Sequence, residues 1–223
     1  QSKNNCAFSI DSGLDGGYTE GVKLNNRLAM GAGGMQVPKD NVKSSILAAA
    51  TEEFLVNGYR HSSMRAIAEQ AGITVGNIYS YFSGKEHLLE SILSPTVAEL
   101  EALVAIPVDG EIDSPATLEG LARAVVEIYL RNREQFLVLV NATEGSKFEN
   151  ARQALVQQAQ RRMEAEFAAR GKRVDPLLTE ALALGIIEGL INILTKYGGD
   201  EARLRQTVNV YLRITFSDIH KRL

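Results

Sequence analysis

Helix-start signals recur along this chain and restrict its fold more than any other feature of the sequence. Ser114-Pro115 and Asp175-Pro176 each place a capping side chain before a proline at the first helical position, where the missing amide hydrogen removes no hydrogen bond. Ser83–Glu86 and Ser146–Glu149 have the spacing of a capping box, in which each side chain bonds the backbone amide of the other residue. Alternating apolar and polar residues occur only in short stretches such as Leu103–Val108. The sequence therefore predicts an all-α protein.

The same signals predict nine helices, of which three short ones lie within residues 40–82. Six further helices follow at 83–104, 114–132, 136–143, 146–170, 175–197 and 200–221. Glycines mark several helix ends, and the prolines are interpreted as lying outside the long periodic segments. Three segments follow from this pattern: residues 1–34, 35–93 and 94–223.

The composition is that of an ordinary globular protein. The 223 residues are 45% hydrophobic and 23% charged, which suits one large domain or two small ones. One cysteine and three scattered histidines exclude a disulfide framework and make a metal centre an unfavourable interpretation. No uninterrupted apolar run approaches the roughly 18 residues of a membrane span. We expect a cytoplasmic protein without a cofactor, a metal ion or a membrane partner.

Residues 1–34 differ from the rest of the chain. They hold seven of its 19 glycines and show neither helical nor strand periodicity. Such a segment buries too little apolar surface to offset its ordering entropy. We interpret it as a leader that is either derived from a tag or disordered.

Residues 62–82 have the pattern of a helix-turn-helix unit. A short helix from Met64 is stopped at Gly72, which supplies the positive φ of a tight turn, and a second short helix follows Thr74. Ile67, Ile73 and Ile78 are spaced to form the buried side of the pair. In such units the N-terminal residues of the second helix face base edges in the major groove. Here those residues are Thr74, Val75, Gly76 and Asn77.

Residues 46–93 resemble the DNA-binding domain of the TetR (tetracycline repressor) family of bacterial transcriptional regulators. The segments that carry the resemblance are Ile46–Phe54, Asn57–Tyr59, Ser62–Ile73, Gly76–Phe82 and Lys85–Leu89. The resemblance implies a helix-turn-helix domain of three helices, followed by a larger helical domain for ligand binding and dimerisation. It also implies a homodimer on a palindromic double-stranded operator, and a repressor that a small-molecule effector releases from that operator.

The predicted DNA contacts come from the helix-turn-helix pattern and from the resemblance to the TetR family. The resemblance places Thr74 and Asn77 at base-facing positions, and Tyr79, Tyr81 and Lys85 at phosphate-contacting positions. Hydroxyl groups at Ser62 and Ser63 are further candidate phosphate donors, and Arg65 is a candidate for specific contacts. Between Gln36 and Ile92 there are five basic and six acidic residues, and Thr74–Phe82 carries no charge. Specificity must therefore come from Asn77, Thr74, methyl contacts of Val75, Arg65 or DNA shape.

Two sets of residues in the C-terminal part suggest dimerisation. Ala181, Gly185 and Gly189 recur every four residues, which suits either a helix of a second subunit or close packing within one subunit. An apolar stripe on the last helix includes Tyr211, Leu212, Thr215 and Phe216. Together they predict an interface in which each subunit contributes two helices.

A ligand cavity is predicted between the preceding helices. The apolar residues assigned to its wall are Tyr129, Phe136, Val140, Phe148 and Ile187, and the polar ones are Glu144 and Glu188. The alternative is that the apolar residues are plain core and the glutamates are solvated.

The sequence leaves two alternatives to a regulator, an enzyme and a helical small-molecule-binding protein. An enzyme is disfavoured because the sequence shows no nucleophile with its base, no phosphate-binding glycine loop and no paired metal ligands. The second alternative is a helical small-molecule-binding protein with an inactive DNA-binding domain. The uncharged second helix of the helix-turn-helix unit is the feature that favours it.

Overall fold

The computed structural model describes residues 39–105, 114–217 and 219, and nine helices lie within these ranges. The all-α prediction is confirmed, since the described residues contain no strand. The predicted leader at 1–34 and the predicted end of the last helix at 221 lie outside these ranges. The helices are α1 Lys39–His61, α2 Met64–Gln70, α3 Val75–Tyr79, α4 Lys85–Ala105, α5 Pro115–Arg131, α6 Arg133–Asn141, α7 Ala151–Ala169, α8 Pro176–Thr195 and α9 Glu201–Phe216.

Two apolar clusters hold these helices together. The first joins α1 to α4, with Phe54, Ile67, Ile78 and Phe82 among its buried residues. Ile73, the third isoleucine of the predicted buried side, is half-buried against this cluster. The second cluster joins α5 to α9. Helix α6 contributes to both, because its Val138 and Leu139 pack in the first cluster while Phe136 and Val140 pack in the second.

Three of the predicted helix caps form as expected. Ser114, Asp175 and Asp200 each accept a hydrogen bond from a backbone amide in the first turn of α5, α8 and α9. These bonds satisfy amides that the helix itself leaves without partners.

Both predicted capping boxes are wrong. The Glu86 carboxylate bonds Tyr59 and Lys147 instead of the Ser83 amide. The Ser146 and Glu149 side chains bond within a turn that precedes α7, and α7 begins only at Ala151. Partners from elsewhere in the fold bind Glu86, whereas Glu149 bonds the Gly145 amide within the same turn.

Helices α4 and α8 also depart from the sequence predictions. Pro95 lies inside α4, although the prolines were expected outside the long periodic segments. Helix α8 has 20 residues, and an 18-residue window within it has a mean hydropathy of 1.8, so by length and composition alone it could cross a membrane. The prediction from uninterrupted apolar runs did not detect it, because Thr179, Glu180 and Glu188 break the run. In the fold α8 packs against α7 and α9.

The contact between α8 and α9 gives a test of this packing. A β-carbon added at Gly189 would overlap the Oη and Cζ atoms of Tyr211, whose hydroxyl donates a hydrogen bond to the carbonyl oxygen of Gly185 at 2.5 Å. We expect Gly189→Ala to lower the free energy of unfolding by about 1–3 kcal/mol. Gly120→Ala, where a β-carbon meets nothing within 4 Å, should not destabilise the protein. Urea denaturation measures both variants, and equal stability of the two would contradict the packing.

Candidate DNA-binding site and ligand cavity

The α2–α3 unit has the geometry of a helix-turn-helix. Ser63 begins α2 by accepting a hydrogen bond from the Ala66 amide at 3.1 Å, and Thr74 begins α3 by accepting one from the Asn77 amide at 3.2 Å. Gly72 has a φ of 69°, which other residues rarely adopt. The amide of Ile73 bonds the carbonyl oxygen of Ala68 at 3.0 Å and closes the turn. These local contacts fix the direction of α3 relative to α2.

The solvent-facing side of this unit, which we call the recognition face, collects most of the predicted DNA contacts. Ile78 is fully buried, so the opposite side of α3 faces solvent, and the Tyr79 side chain is 53% exposed. Val75 and Tyr81 are half-buried and pack against the first cluster. The exposed members of the recognition face are Ser63, Arg65, Thr74, Gly76, Asn77 and Tyr79.

Ser62 and Lys85 are placed differently from the prediction. Ser62 is buried, and its hydroxyl donates to the carbonyl oxygen of Tyr59 at 2.8 Å. The Lys85 ammonium donates to the carbonyl oxygens of Tyr59 and Ser62 at 2.5 and 2.9 Å, and lies 4.3 Å from the centroid of the Tyr59 ring. Burial lowers the pKa of Lys85. Both polar groups therefore bind backbone carbonyl oxygens at the end of α1.

A network that we call the clasp joins the end of α1 and the start of α4 to the turn after α6. The Tyr59 hydroxyl donates to Glu86 at 2.6 Å, and the other carboxylate oxygen of Glu86 accepts from the Lys147 amide at 3.1 Å. The Tyr59 amide bonds the carbonyl oxygen of Ala142 at 2.7 Å, and the Lys147 ammonium pairs with Glu90 at 2.5 Å. Burial, aided by the bond to Glu86, raises the pKa of Tyr59 to about 12.

The clasp was not foreseen from the sequence. The one local signal for it is Asn57-Gly58, a residue pair typical of a helix end. Gly58 has a φ of 70° and interrupts the helical backbone of α1 there. This break directs Tyr59 towards Glu86 and Ala142.

A cavity of about 470 Å³ lies among the helices of the second cluster. Three of the predicted ligand-binding residues, Tyr129, Phe136 and Ile187, line it. Further lining residues come from α4, α7 and α9, and they include Leu100, Leu103, Ala159, Arg162, Leu212 and Phe216.

The other four predicted ligand-binding residues lie elsewhere. Val140 is buried in the second cluster, and Phe148 packs against the first. Glu144 forms an exposed ion pair with Arg60, and Glu188 pairs with Arg152. The two glutamates are thus neutralised by arginines outside the cavity, which their sequence positions did not reveal.

The predicted dimer residues divide between the inside and the outside of the subunit. Leu212 and Phe216 are buried and line the cavity, and Tyr211 packs on Gly189 of the same chain. The half-buried Thr215 donates to the carbonyl oxygen of Tyr211. Ala181 and Gly185 are exposed on α8. For Gly189 the small side chain therefore serves packing within one subunit.

An apolar surface remains on α8 and α9. Leu177, Leu184, Val210 and Ile214 are 75%, 50%, 47% and 72% exposed. The bond from Tyr211 to Gly185 places the two helices in contact. We call these four residues the α8–α9 patch.

Comparison with known proteins agrees with this geometry. Residues 46–92 match the family model described as bacterial regulatory proteins of the tetR family. The chain is 33% identical over 89 residues to the HTH-type transcriptional repressor KstR2 of Rhodococcus jostii, which is 40% of this chain and 44% of that protein. It is also 33% identical over 76 residues to the transcriptional regulator UidR of Escherichia coli, which is 34% of this chain and 39% of the relative. The matches thus span less than half the length of either relative.

A solved structure extends the similarity to most of the fold. A TetR transcriptional regulator family member from Streptomyces coelicolor superposes with a TM-score of 0.59 at 24% identity, covering 77% of this chain and 89% of that one. The fold thus has the helix-turn-helix architecture of that structure. Residues 46–92 are thus similar to the tetR family of bacterial regulatory proteins.

Proposed function

We propose that this protein is a cytoplasmic, homodimeric transcriptional regulator that represses its target until a small-molecule effector releases it from a palindromic operator. Residues 35–93 bind DNA, and residues 94–223 bind the effector and form the dimer. The observation that carries the proposal is the recognition face, on which the polar groups of α3 point to solvent from a helix-turn-helix frame. Repression is taken from KstR2, whose name describes a repressor.

The recognition face suits hydrogen bonding to base edges, and it carries few charged side chains. Asn77 is exposed in the middle of α3, and its side-chain amide can bond adenine through two hydrogen bonds. Thr74 and Tyr79 flank it with hydroxyl groups, and Arg65 on α2 supplies an exposed positive charge. Phosphate attraction then comes from Arg65 and the backbone amides at the starts of α2 and α3.

The α8–α9 patch supplies the dimer in this proposal. Exposed leucine, isoleucine and valine side chains on two neighbouring helices favour burial against a partner. An isologous contact between two copies of the patch gives a twofold axis. Such an axis presents two α3 helices to successive major grooves, whose centres are about 34–36 Å apart.

The clasp supplies the link between effector and DNA. It ties α1 and α4 to the turn that follows α6, and α4 and α6 both contribute residues to the cavity wall. An effector that fits one arrangement of these helices better than another shifts the population of dimers that match the operator. The clasp transmits that shift to the DNA-binding domain.

DNA binding is tested by fluorescence anisotropy with DNA that flanks the protein's own gene, titrated at several salt concentrations. We expect saturable binding that withstands excess random DNA. Arg65→Gln should weaken binding and reduce the slope of log K against log salt by about 1. Arg123→Gln, which removes an exposed arginine of α5 that pairs with Glu119, should change neither.

The alternative function predicts a different outcome. A helical ligand-binding protein with an inactive DNA-binding domain would show weak binding that modest salt abolishes and that competitor DNA displaces. Equal salt slopes for the wild type and Arg65→Gln would also contradict the assignment of the recognition face.

A further inference from the structure

The wall of the cavity specifies the chemistry of its occupant. We infer that the effector is a neutral, mainly aliphatic molecule that carries one hydrogen-bonding oxygen. The inference rests on the proposed function, since it names the class of effector that the regulator senses. It depends on three observations: the apolar wall, the state of the one charged side chain on that wall, and one buried hydroxyl group.

The wall is built mainly from aliphatic side chains. The lining residues include Leu100 of α4, Leu121 of α5, Leu155 of α7, Leu190 of α8 and Leu212 of α9. A volume of about 470 Å³ is within the range of roughly 300–1,000 Å³ that holds small-molecule ligands. Burial of apolar ligand surface is therefore the main driving force available in this site.

Arg162 is the one charged side chain among the described residues that line the cavity, and its guanidinium group is already bonded. It donates to the Glu166 carboxylate at 3.1 and 3.2 Å and to the carbonyl oxygen of Val104 at 3.1 Å. Burial alone would raise the pKa of Glu166, but hydrogen bonds from Arg170 and Arg162 hold it below its usual range. A ligand carboxylate would have to displace Glu166 or remain buried without a partner, and both cost free energy.

Tyr129 supplies the polar group. Its side chain is 1% exposed and forms part of the wall, and its hydroxyl has no hydrogen-bond partner among the described residues. The ring is fixed by edge-on contacts with Phe136 and Tyr197, at centroid distances of 5.3 and 6.0 Å. A buried hydroxyl without a partner is unfavourable. We expect an oxygen on a ligand that reaches this hydroxyl group to satisfy it, which selects one neutral polar group in a largely aliphatic molecule.

The test compares two probes with the same chain length, decan-1-ol and decanoate, by isothermal titration calorimetry of the full-length protein at pH 8. We expect decan-1-ol to bind at least about tenfold more tightly, since the buried carboxylate lacks a free cation. Tyr129→Phe should weaken binding of decan-1-ol by about threefold to tenfold. Tyr197→Phe, which alters a neighbouring tyrosine that is not on the wall, should leave its affinity unchanged.

Several outcomes would overturn the inference: decanoate binding as tightly as decan-1-ol, no binding of decan-1-ol, or equal affinities for the wild type and Tyr129→Phe. Circular dichroism of each variant checks that it is folded. DNA binding is measured on the same preparations by anisotropy. Intact DNA binding with a preference for decanoate overturns the effector class and leaves the regulator in place. The expected preference for decan-1-ol without DNA binding supports the ligand class and contradicts the proposed function.

Discussion

Replacing Leu184 and Ile214 together by glutamate is expected to convert the protein to a monomer and to weaken operator binding by about 10²- to 10⁴-fold. Both side chains belong to the α8–α9 patch and are at least half exposed. Four buried carboxylates in a twofold interface lack partners and repel one another. Each DNA-binding domain would then bind one half-site alone, and the gain from linking two binding events would be lost. Analytical ultracentrifugation measures the mass, and anisotropy measures the affinity.

Val56→Glu is the matched control for the oligomeric state. Val56 is 74% exposed but lies on α1, away from the α8–α9 patch. The control should remain a dimer, because it adds the same charge to a different apolar surface residue. A wild-type protein that sediments as a monomer, or a double glutamate variant that stays dimeric, would contradict the patch as the interface.

Removal of the Glu86 side chain is expected to lower the free energy of unfolding by about 1–3 kcal/mol. Glu86→Ala leaves the Tyr59 hydroxyl and the Lys147 amide without their shared acceptor. Tyr59→Phe removes only one of these bonds, and the loss should be about 0.5–1.5 kcal/mol. Glu52→Ala, at an exposed position of α1, should change stability by less than about 0.5 kcal/mol. Urea denaturation of the three variants measures these differences.

The double variant and the pH dependence identify the clasp specifically. The effects of Glu86→Ala and Tyr59→Phe should not add, because the two residues share a hydrogen bond. The fold raises the pKa of Tyr59 from 10.0 to about 12, so it holds the phenol proton more tightly than the unfolded chain does. The stabilisation from Tyr59 is therefore complete below about pH 10 and is lost as the pH rises towards 12. Additive effects, or a wild-type advantage over Tyr59→Phe that persists at pH 12, would contradict the clasp.

Local signals in the sequence predicted much of the fold. Caps such as Ser114 and Asp175 depend on residues within one turn, and the structure has both. The helix-turn-helix unit was also predictable, because Gly72, Thr74 and the buried isoleucines determine its structure through contacts within a few residues. The Ser83–Glu86 capping box does not form, because Tyr59 and Lys147, which are distant in sequence, bind the Glu86 carboxylate instead. Contacts between residues far apart in the sequence leave no pattern in the local sequence, so they could not be predicted from it.

The cavity and the dimer surface were harder to predict for the same reason. Tyr129 and Ile187 were assigned to the cavity wall because they are apolar residues on helices that were predicted to surround the cavity. Glu144 and Glu188 were assigned with them, yet each pairs with an arginine from another helix. The spacing of Gly189 suited two kinds of close packing, and only the position of Tyr211 shows that it serves the inside of the subunit. Helical periodicity predicts which face of a helix is buried, but it does not predict which other helix packs against that face.

The most direct test of the account is selection of DNA from a random double-stranded library by the wild-type protein, followed by sequencing of the bound fraction. A dimer with two outward α3 helices predicts an enriched inverted repeat whose half-sites are centred about 10 base pairs, or a multiple of that distance, apart. Asn77→Ala should then lose discrimination at one position in each half-site, by about 1–3 kcal/mol. Absence of any enriched sequence, or an enriched site without twofold symmetry, would contradict a dimeric regulator that binds DNA through this recognition face.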